Sequence, residues 1–134
     1  MKVFVDSNIP MYVAGTDHPN RSPARRFLER AQAGEFELCT STEVLQEILY
    51  RYAGLQRLDL AQKVYDYFVA LVPEIFDITL ADTDVAKEIL LATQGLSARD
   101  AVHAAVMRNQ GMDTIASFDR GFDRLGWIRR LELE

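Results

Sequence analysis

Val3-Phe4-Val5-Asp6-Ser7-Asn8-Ile9-Pro10 decides how the fold is read. Three consecutive apolar residues, two of them β-branched, then an acid, read as a short strand buried on both faces and ending at Asp6. A helix follows from Asn8, with Pro10 in the first turn, where a missing N–H costs nothing. A doubly buried strand that runs at once into a helix is the opening of a βα unit.

The same alternation continues along the chain. Ser22-Pro23 opens a helix that Gly34 ends. A strand spans 36–40, then a helix 42–52 stopping near Gly54, then a helix 58–71. Pro73 precedes a third strand, 74–78. Helices follow over 82–92, stopping at Gly95, and over 98–109, stopping at Gly111. A fourth strand covers 114–117, a short helix carries Phe122 and Leu125, and 128–131 offers a short last strand. There is no repeat, no low-complexity tract and no linker. The expectation is an α/β fold: one domain over 1–134, with a central, mostly parallel sheet of four to five strands and helices on both faces. Ligands of such sheets bind beyond the C-terminal ends of the strands.

Composition narrows the class. The chain has 134 residues, 49% hydrophobic and 26% charged, as in an ordinary globular domain. No apolar run reaches the roughly 18 residues that span a membrane. The first strand begins at once, leaving no room for a signal peptide, so a cytoplasmic protein is expected. Cys39 is the only cysteine, which excludes an internal disulfide and a cysteine zinc site. A net charge of −5 argues against gripping nucleic acid by bulk positive charge. Arginines are nonetheless grouped: Arg21, Arg25, Arg26 and Arg30 in one helix, and Arg120, Arg124, Arg129 and Arg130 near the C-terminus. They suit phosphate contacts, but taken alone they read as a solvated helix face with salt bridges to nearby acids.

The sheet-edge rule makes four acids informative. Asp6 closes the first strand, Glu47 lies in the helix after the second, Asp100 opens the helix leading to the fourth, and Asp119 follows the fourth. Each has a structural explanation. Asp6 and Asp119 can cap the helices that follow them, and Asp100 can close a capping box with Ser97. Glu47 is mid-helix, so its structural alternative is a surface pair with Arg51 at i+4. Glu43 competes with Glu47. The apolar face of that helix is Val44, Leu45, Ile48, Leu49 and Tyr52, which sets Glu43 almost opposite and Glu47 nearer the margin. Glu43 also fits a capping box with Thr40. Glu47 is therefore assigned to the site and Glu43 to the helix start.

The helix of Asp100 is apolar nearly all round and should be buried, so its acid needs compensation. His103, one turn on, is either a satisfied core histidine or a partner that orients Asp100. Rival chemistries lack their parts. Gly95-Leu96-Ser97-Ala98-Arg99 has no second glycine and follows no strand, so it is not a nucleophile elbow. No phosphate-cradling glycine loop occurs, and two histidines are too few for a zinc site. Carboxylates without thiolate or imidazole favour Mg²⁺ or Mn²⁺.

Four segments now carry a resemblance. Val3-Phe4-Val5-Asp6-Ser7-Asn8, Ser41-Thr42-Glu43-Val44-Leu45-Gln46-Glu47-Ile48, Leu96-Ser97-Ala98-Arg99-Asp100-Ala101-Val102-His103 and Ser117-Phe118-Asp119-Arg120-Gly121-Phe122 resemble, in order, the motifs of PIN domains. More narrowly they resemble the VapC-type toxin ribonucleases of toxin–antitoxin pairs. The match covers nearly the whole chain. Gly121 departs from the pattern, since many relatives carry an acid there; Asp123 is nearby but reads as solvent-facing.

The resemblance implies a metal-dependent endoribonuclease. Asp6, Asp100 and Asp119 would be metal ligands and Glu47 a fourth catalytic acid, with polar or phosphate contacts from Ser7, Asn8, Arg99 and Ser117. It implies an RNA substrate, a cognate antitoxin that inhibits by placing a basic side chain in the acidic cleft, and a homodimer. Leu45, Leu49, Tyr52, Leu55 and Leu58 are then candidate interface residues, with core burial the default for most. Two alternatives stand beside it. One is a non-catalytic PIN-fold binding module. The other is an acid-pocket phosphoryl-transfer protein: a dehalogenase-like phosphatase would place a second aspartate where Asn8 stands, and a receiver domain would need a late lysine that the chain lacks.

Overall fold

The computed structural model describes residues 1–134. Five strands, β1 (Lys2–Val5), β2 (Glu37–Ser41), β3 (Glu74–Phe76), β4 (Thr114–Ala116) and β5 (Arg129–Arg130), form one sheet. Every pairing is parallel, in the order β3-β2-β1-β4-β5. Six helices connect or follow them: α1 (Asn8–Ala14), α2 (Arg21–Gln32), α3 (Thr42–Gly54), α4 (Leu58–Leu71), α5 (Leu80–Ala92) and α6 (Ala98–Asn109). A 3₁₀ helix, Arg120–Arg124, joins β4 to β5.

The central strand is β1. Val3, Phe4 and Val5 have no exposed surface, and successive side chains point to opposite faces, so the sheet is covered on both sides. The chain moves outward from β1 through β2 to β3, then returns to place β4 on the other side. The strand order therefore reverses between β1 and β4, and the crevice at the C-terminal ends of those two strands is where such sheets bind ligands. Helix α6 lies deep, with Ala101 and residues 103–107 all buried, as its nearly continuous apolar surface requires.

Several boundaries differ from the expectation for local reasons. Helix α5 begins two residues early, because Thr79 and Asp82 form a reciprocal capping box in which Asp82 is an internal partner rather than the first residue. Helix α2 begins at Arg21, so Pro23 sits inside the first turn, where N–H groups have no helical partner. Gly54 belongs to α3, and the left-handed position past its end is held by Gln56 at φ 56°. Of the candidate interface residues, Leu45 and Tyr52 are core, while Leu49, Leu55 and Leu58 are exposed. Cys39 is buried in β2 against Met112, and burial pushes its thiol up to about 12. No helix is long and apolar enough to cross a membrane.

Candidate functional site

Asp6 emerges from β1 at the switch point, 4% exposed. Its backbone N–H is held by the Ala116 carbonyl at 3.1 Å, which fixes it to the end of β4. Its carboxylate accepts the Ser7 N–H at 2.7 Å on one oxygen and the Ser117 hydroxyl at 2.6 Å on the other. Asn8 donates to Ser117 Oγ at 3.2 Å and accepts the Phe118 N–H at 3.4 Å. Ser7, Asn8 and Ser117 thus hold the carboxylate and tie α1 to β4. The expectation that Asp6 could cap α1 is not met: α1 opens at Ser7 with no side-chain cap.

Glu47 is buried on the inner side of α3, and it makes no pair with Arg51. One carboxylate oxygen accepts the Ser7 hydroxyl at 2.8 Å, and the other is bound to His103 Nε2. That nitrogen also lies 3.7 Å from Asp6 Oδ1. Asp6, Glu47 and His103 each offer a donor atom within 4.8 Å of the others. Burial pushes Glu47 up, but the hydrogen bond and charge of His103 outweigh it and hold the acid below its usual range. Burial pushes His103 down, and Glu47 with Asp6 outweighs that and raises it. The two shifts run in the directions expected of a hydrogen-bonded imidazole–carboxylate pair inside the core. His103 Nδ1 has no partner. Burial raises Asp6, opposed by His103 and Ser117.

His103 is what the sequence left undecided. Spacing at i+3 set it toward Asp100, but its hydrogen bond goes to Glu47. Asp100 sits in the first turn and reaches over the helix end, whereas one turn deeper α6 meets α3 and β1. A lone histidine in an otherwise apolar buried helix was the available signal.

Asp100 and Asp119 form the open side. The Ser97 hydroxyl accepts the Asp100 N–H at 3.1 Å, so half of the capping box is present and the carboxylate is left for the cavity. Asp119 caps the 3₁₀ helix by accepting the Gly121 N–H at 2.8 Å, and its own N–H donates to Ser117 Oγ at 3.0 Å. A Cβ at Gly121 would lie 3.0 Å from Asp119 Oδ1 and 3.2 Å from Asp100 Oδ2, so the two carboxylates close over that glycine. Burial, then the neighbouring Asp119 carboxylate, pushes Asp100 up to about 7. Asp123 turns away and pairs with Arg130 at 3.0 Å.

The assignment of Glu43 needs correction. Thr40 is a β2 residue whose hydroxyl donates to the Val5 carbonyl at 2.9 Å, so no Thr40–Glu43 capping box exists. Glu43 is half-buried rather than solvent-facing, and burial raises it. The start of α3 is enclosed by α6 as well as the sheet, which a single apolar face did not anticipate.

These elements enclose a cavity of about 480 Å³ with no hydrophobic lining. Asp6, Glu47, Asp100 and Asp119 line it with Ser7 and Asn8, and Arg99 and Arg124 add two cations. Ser117 lies behind Asp6 rather than in the lining. Arg124, not singled out for the site from sequence, packs against Gly95, whose φ of 84° lets the backbone pass beneath the guanidinium. The donor set fits a hard divalent cation. It consists of carboxylate oxygens, the one available imidazole nitrogen is engaged by Glu47, and Asp100 faces Asp119 without a cation between them.

Fold and site define a class: a parallel α/β protein with a cation-seeking carboxylate pocket at the switch point of its sheet. The family model of the PIN domain matches residues 3–128. The chain is 45% identical over 129 residues to the VapC ribonuclease Mb1869c of Mycobacterium bovis, covering 96% of this chain and 98% of that one. It is 38% identical over 117 residues to ribonuclease VapC23 of Mycobacterium tuberculosis, covering 87% and 92%. Among solved structures it superposes on Mycobacterium tuberculosis VapC20, a Sarcin-Ricin loop cleaving toxin, with a TM-score of 0.78 at 22% identity over 94% of this chain and 96% of that one. On VapBC2 from Rickettsia felis, bound to a promoter DNA fragment, the TM-score is 0.77 at 20% identity over 100% of both chains. The chain belongs to the PIN domain family, among its VapC members.

Proposed function

We propose that this chain is a divalent-metal-dependent endoribonuclease, the toxin half of a toxin–antitoxin pair. The observation that carries this reading is the convergence of Asp6, Glu47, Asp100 and Asp119, from four separate segments, on one polar cavity with two uncommitted arginines beside them. The relatives named as ribonucleases support it.

Asp6, Asp100 and Asp119 would hold one Mg²⁺ or Mn²⁺. One ion rather than two fits the glycine at 121, which brings no further acid. When bound, the ion activates water and neutralises charge developing on a phosphodiester. The protein's own groups do the rest. Glu47, kept ionised by His103, accepts a hydrogen bond from the attacking water and orients it. Ser7, Asn8 and Ser117 fix the Asp6 carboxylate so that its position does not depend on the substrate. Arg99 and Arg124 hold the phosphate on either side of the bond that breaks. The antitoxin inhibits by inserting a basic side chain among the carboxylates, where it takes the place of the cation. The active form is a homodimer.

The test is cleavage-site mapping on total RNA with the purified protein, with Mg²⁺ or with chelator. The expected result is a small set of cuts that disappears with chelator and with Asp6→Asn, while the Asp6→Asn protein keeps its native circular dichroism. Cleavage that survives either change overturns the reading.

A further inference from the structure

A second cavity of about 520 Å³ opens directly from the carboxylate pocket, sharing Ser7, Asn8, Glu47 and Arg99 with it. Its character is different. One wall is aromatic: the rings of Tyr12 and His18 stack at 4.6 Å and 32°. Both rings are fixed in advance. Phe118 presents an edge contact to Tyr12 at 5.3 Å, and His18 Nδ1 accepts the Asn20 N–H at 3.0 Å. Arg51 also lines the cavity, together with the apolar side chains of Met11, Leu55 and Leu60.

Arg21, Arg30, Arg57 and Arg130 are bound in ion pairs, and Arg108 lies on the Trp127 ring. Arg51 and Arg99, like Arg25, Arg120, Arg124 and Arg129, have no acidic partner, and these two line the groove. Two guanidinium groups without acidic partners therefore share a groove with a pair of stacked aromatic rings, next to the acids that would act on a phosphodiester.

We infer that this groove binds an unpaired nucleotide beside the bond to be cut, with the base on the Tyr12–His18 wall and its phosphate between Arg51 and Arg99. Aromatic stacking with arginine on the backbone is how proteins hold single-stranded RNA, whereas the bases of a duplex are not available to stack on a side chain. The groove would thus set a preference for the flanking base. This inference rests on the ribonuclease reading and deepens it.

His18 and Arg51 are exposed, so His18→Ala and Arg51→Ala should leave the fold intact. Binding is measured in the Asp6→Asn background with a fluorescein-labelled single-stranded RNA ten nucleotides long and of mixed sequence. Each substitution should weaken binding roughly tenfold. Arg25→Ala, with the same charge loss outside the groove, should change it less than about twofold. In the active protein, KM should rise with kcat little changed, and the base preference beside the cut should flatten. Unchanged binding and unchanged preference in both variants overturn the inference while leaving the ribonuclease reading intact. Loss of capture of the co-expressed antitoxin with no change toward RNA also overturns it, because the groove would then serve a protein. If the wild type cuts no RNA, the ribonuclease reading fails, and the binding arm still decides what the groove holds.

Discussion

The two halves of the carboxylate cluster solve the same electrostatic problem in opposite ways. On the closed side, Asp6 and Glu47 are buried, yet His103, Ser7, Asn8 and Ser117 supply hydrogen-bond donors. On the open side, Asp100 and Asp119 face each other with backbone caps but no cation, and Asp100 is pushed up to about 7. In the closed half Glu47 is fully compensated and Asp6 partly so, whereas the open half awaits something positive. That asymmetry supports the proposed division of roles: Glu47 of the first half orients the water, while Asp100 and Asp119, with Asp6, recruit the ion.

The largest effect that can break this comparison comes from one substitution in each half. Both Glu47→Gln and Asp100→Asn should lower RNA cleavage at least roughly a hundredfold. Their metal-free stabilities should move apart. Glu47→Gln removes the carboxylate that His103 and Ser7 bind inside the core and should cost about 1–3 kcal/mol. Asp100→Asn removes a repelled charge and should raise the melting temperature in chelator. Melts that shift in the same direction would mean that the two halves are not electrostatically distinct.

The pH dependence comes next in size. Asp100 in the folded, metal-free chain is raised to about 7, against about 3.9 for an unfolded aspartate. A raised folded value means that the fold favours the protonated form. The contribution of Asp100 to stability is therefore fully present below about pH 4 and lost as pH rises through about 7. A cation competes with that proton, so stabilisation by Mg²⁺ should grow from about pH 5.5 to pH 8. In Asp100→Asn the growth should flatten. Mg²⁺ stabilisation that is equal at both pH values in the wild type would remove Asp100 from the ion's ligands.

The open half was readable in the sequence and the closed half only partly. Asp6, Asp100 and Asp119 follow from a rule about strand ends, because strand order and helix starts are written in local patterns such as Val3-Phe4-Val5-Asp6. The His103–Glu47 pair joins residues 56 apart, and it depends on how α3 and α6 cross, which no local pattern encodes. The same limit misplaced Glu43, whose burial comes from a second neighbour of α3. Element ends failed where two caps competed, as at Thr79 and Asp82.

Ser117 joins the two halves and predicts a smaller effect. Its hydroxyl donates to Asp6 and accepts the Asp119 N–H, so one side chain fixes an acid of each half. Ser117→Ala leaves both without that support in a fully buried place, at a cost of about 1–3 kcal/mol. Cleavage should fall roughly tenfold, mostly in kcat, since the carboxylates stay but lose their fixed geometry. Ser117→Thr should restore part of it if the β4 end accommodates the methyl group. A fall confined to KM would mean that Ser117 acts on substrate binding rather than on the acids.

The smallest expected change is the sharpest test of the closed half. Glu43 and Glu47 are one turn apart, only about 40° around the helix axis, so facing direction alone separates them weakly. What separates them is contact: Glu47 is bound by Ser7 and His103, while no hydrogen bond or ion pair holds the Glu43 carboxylate. Burial raises Glu43, so its charge is a slight liability to the fold. Glu43→Gln should therefore leave cleavage within about twofold and raise stability by a few tenths of a kcal/mol, within the range of changes away from special contacts. Kinetics of Glu43→Gln and Glu47→Gln measured side by side settle which acid orients the water. If Glu43→Gln were the inactive variant, the His103–Glu47 pair would be a structural strut and the closed half would need a different acid at its centre.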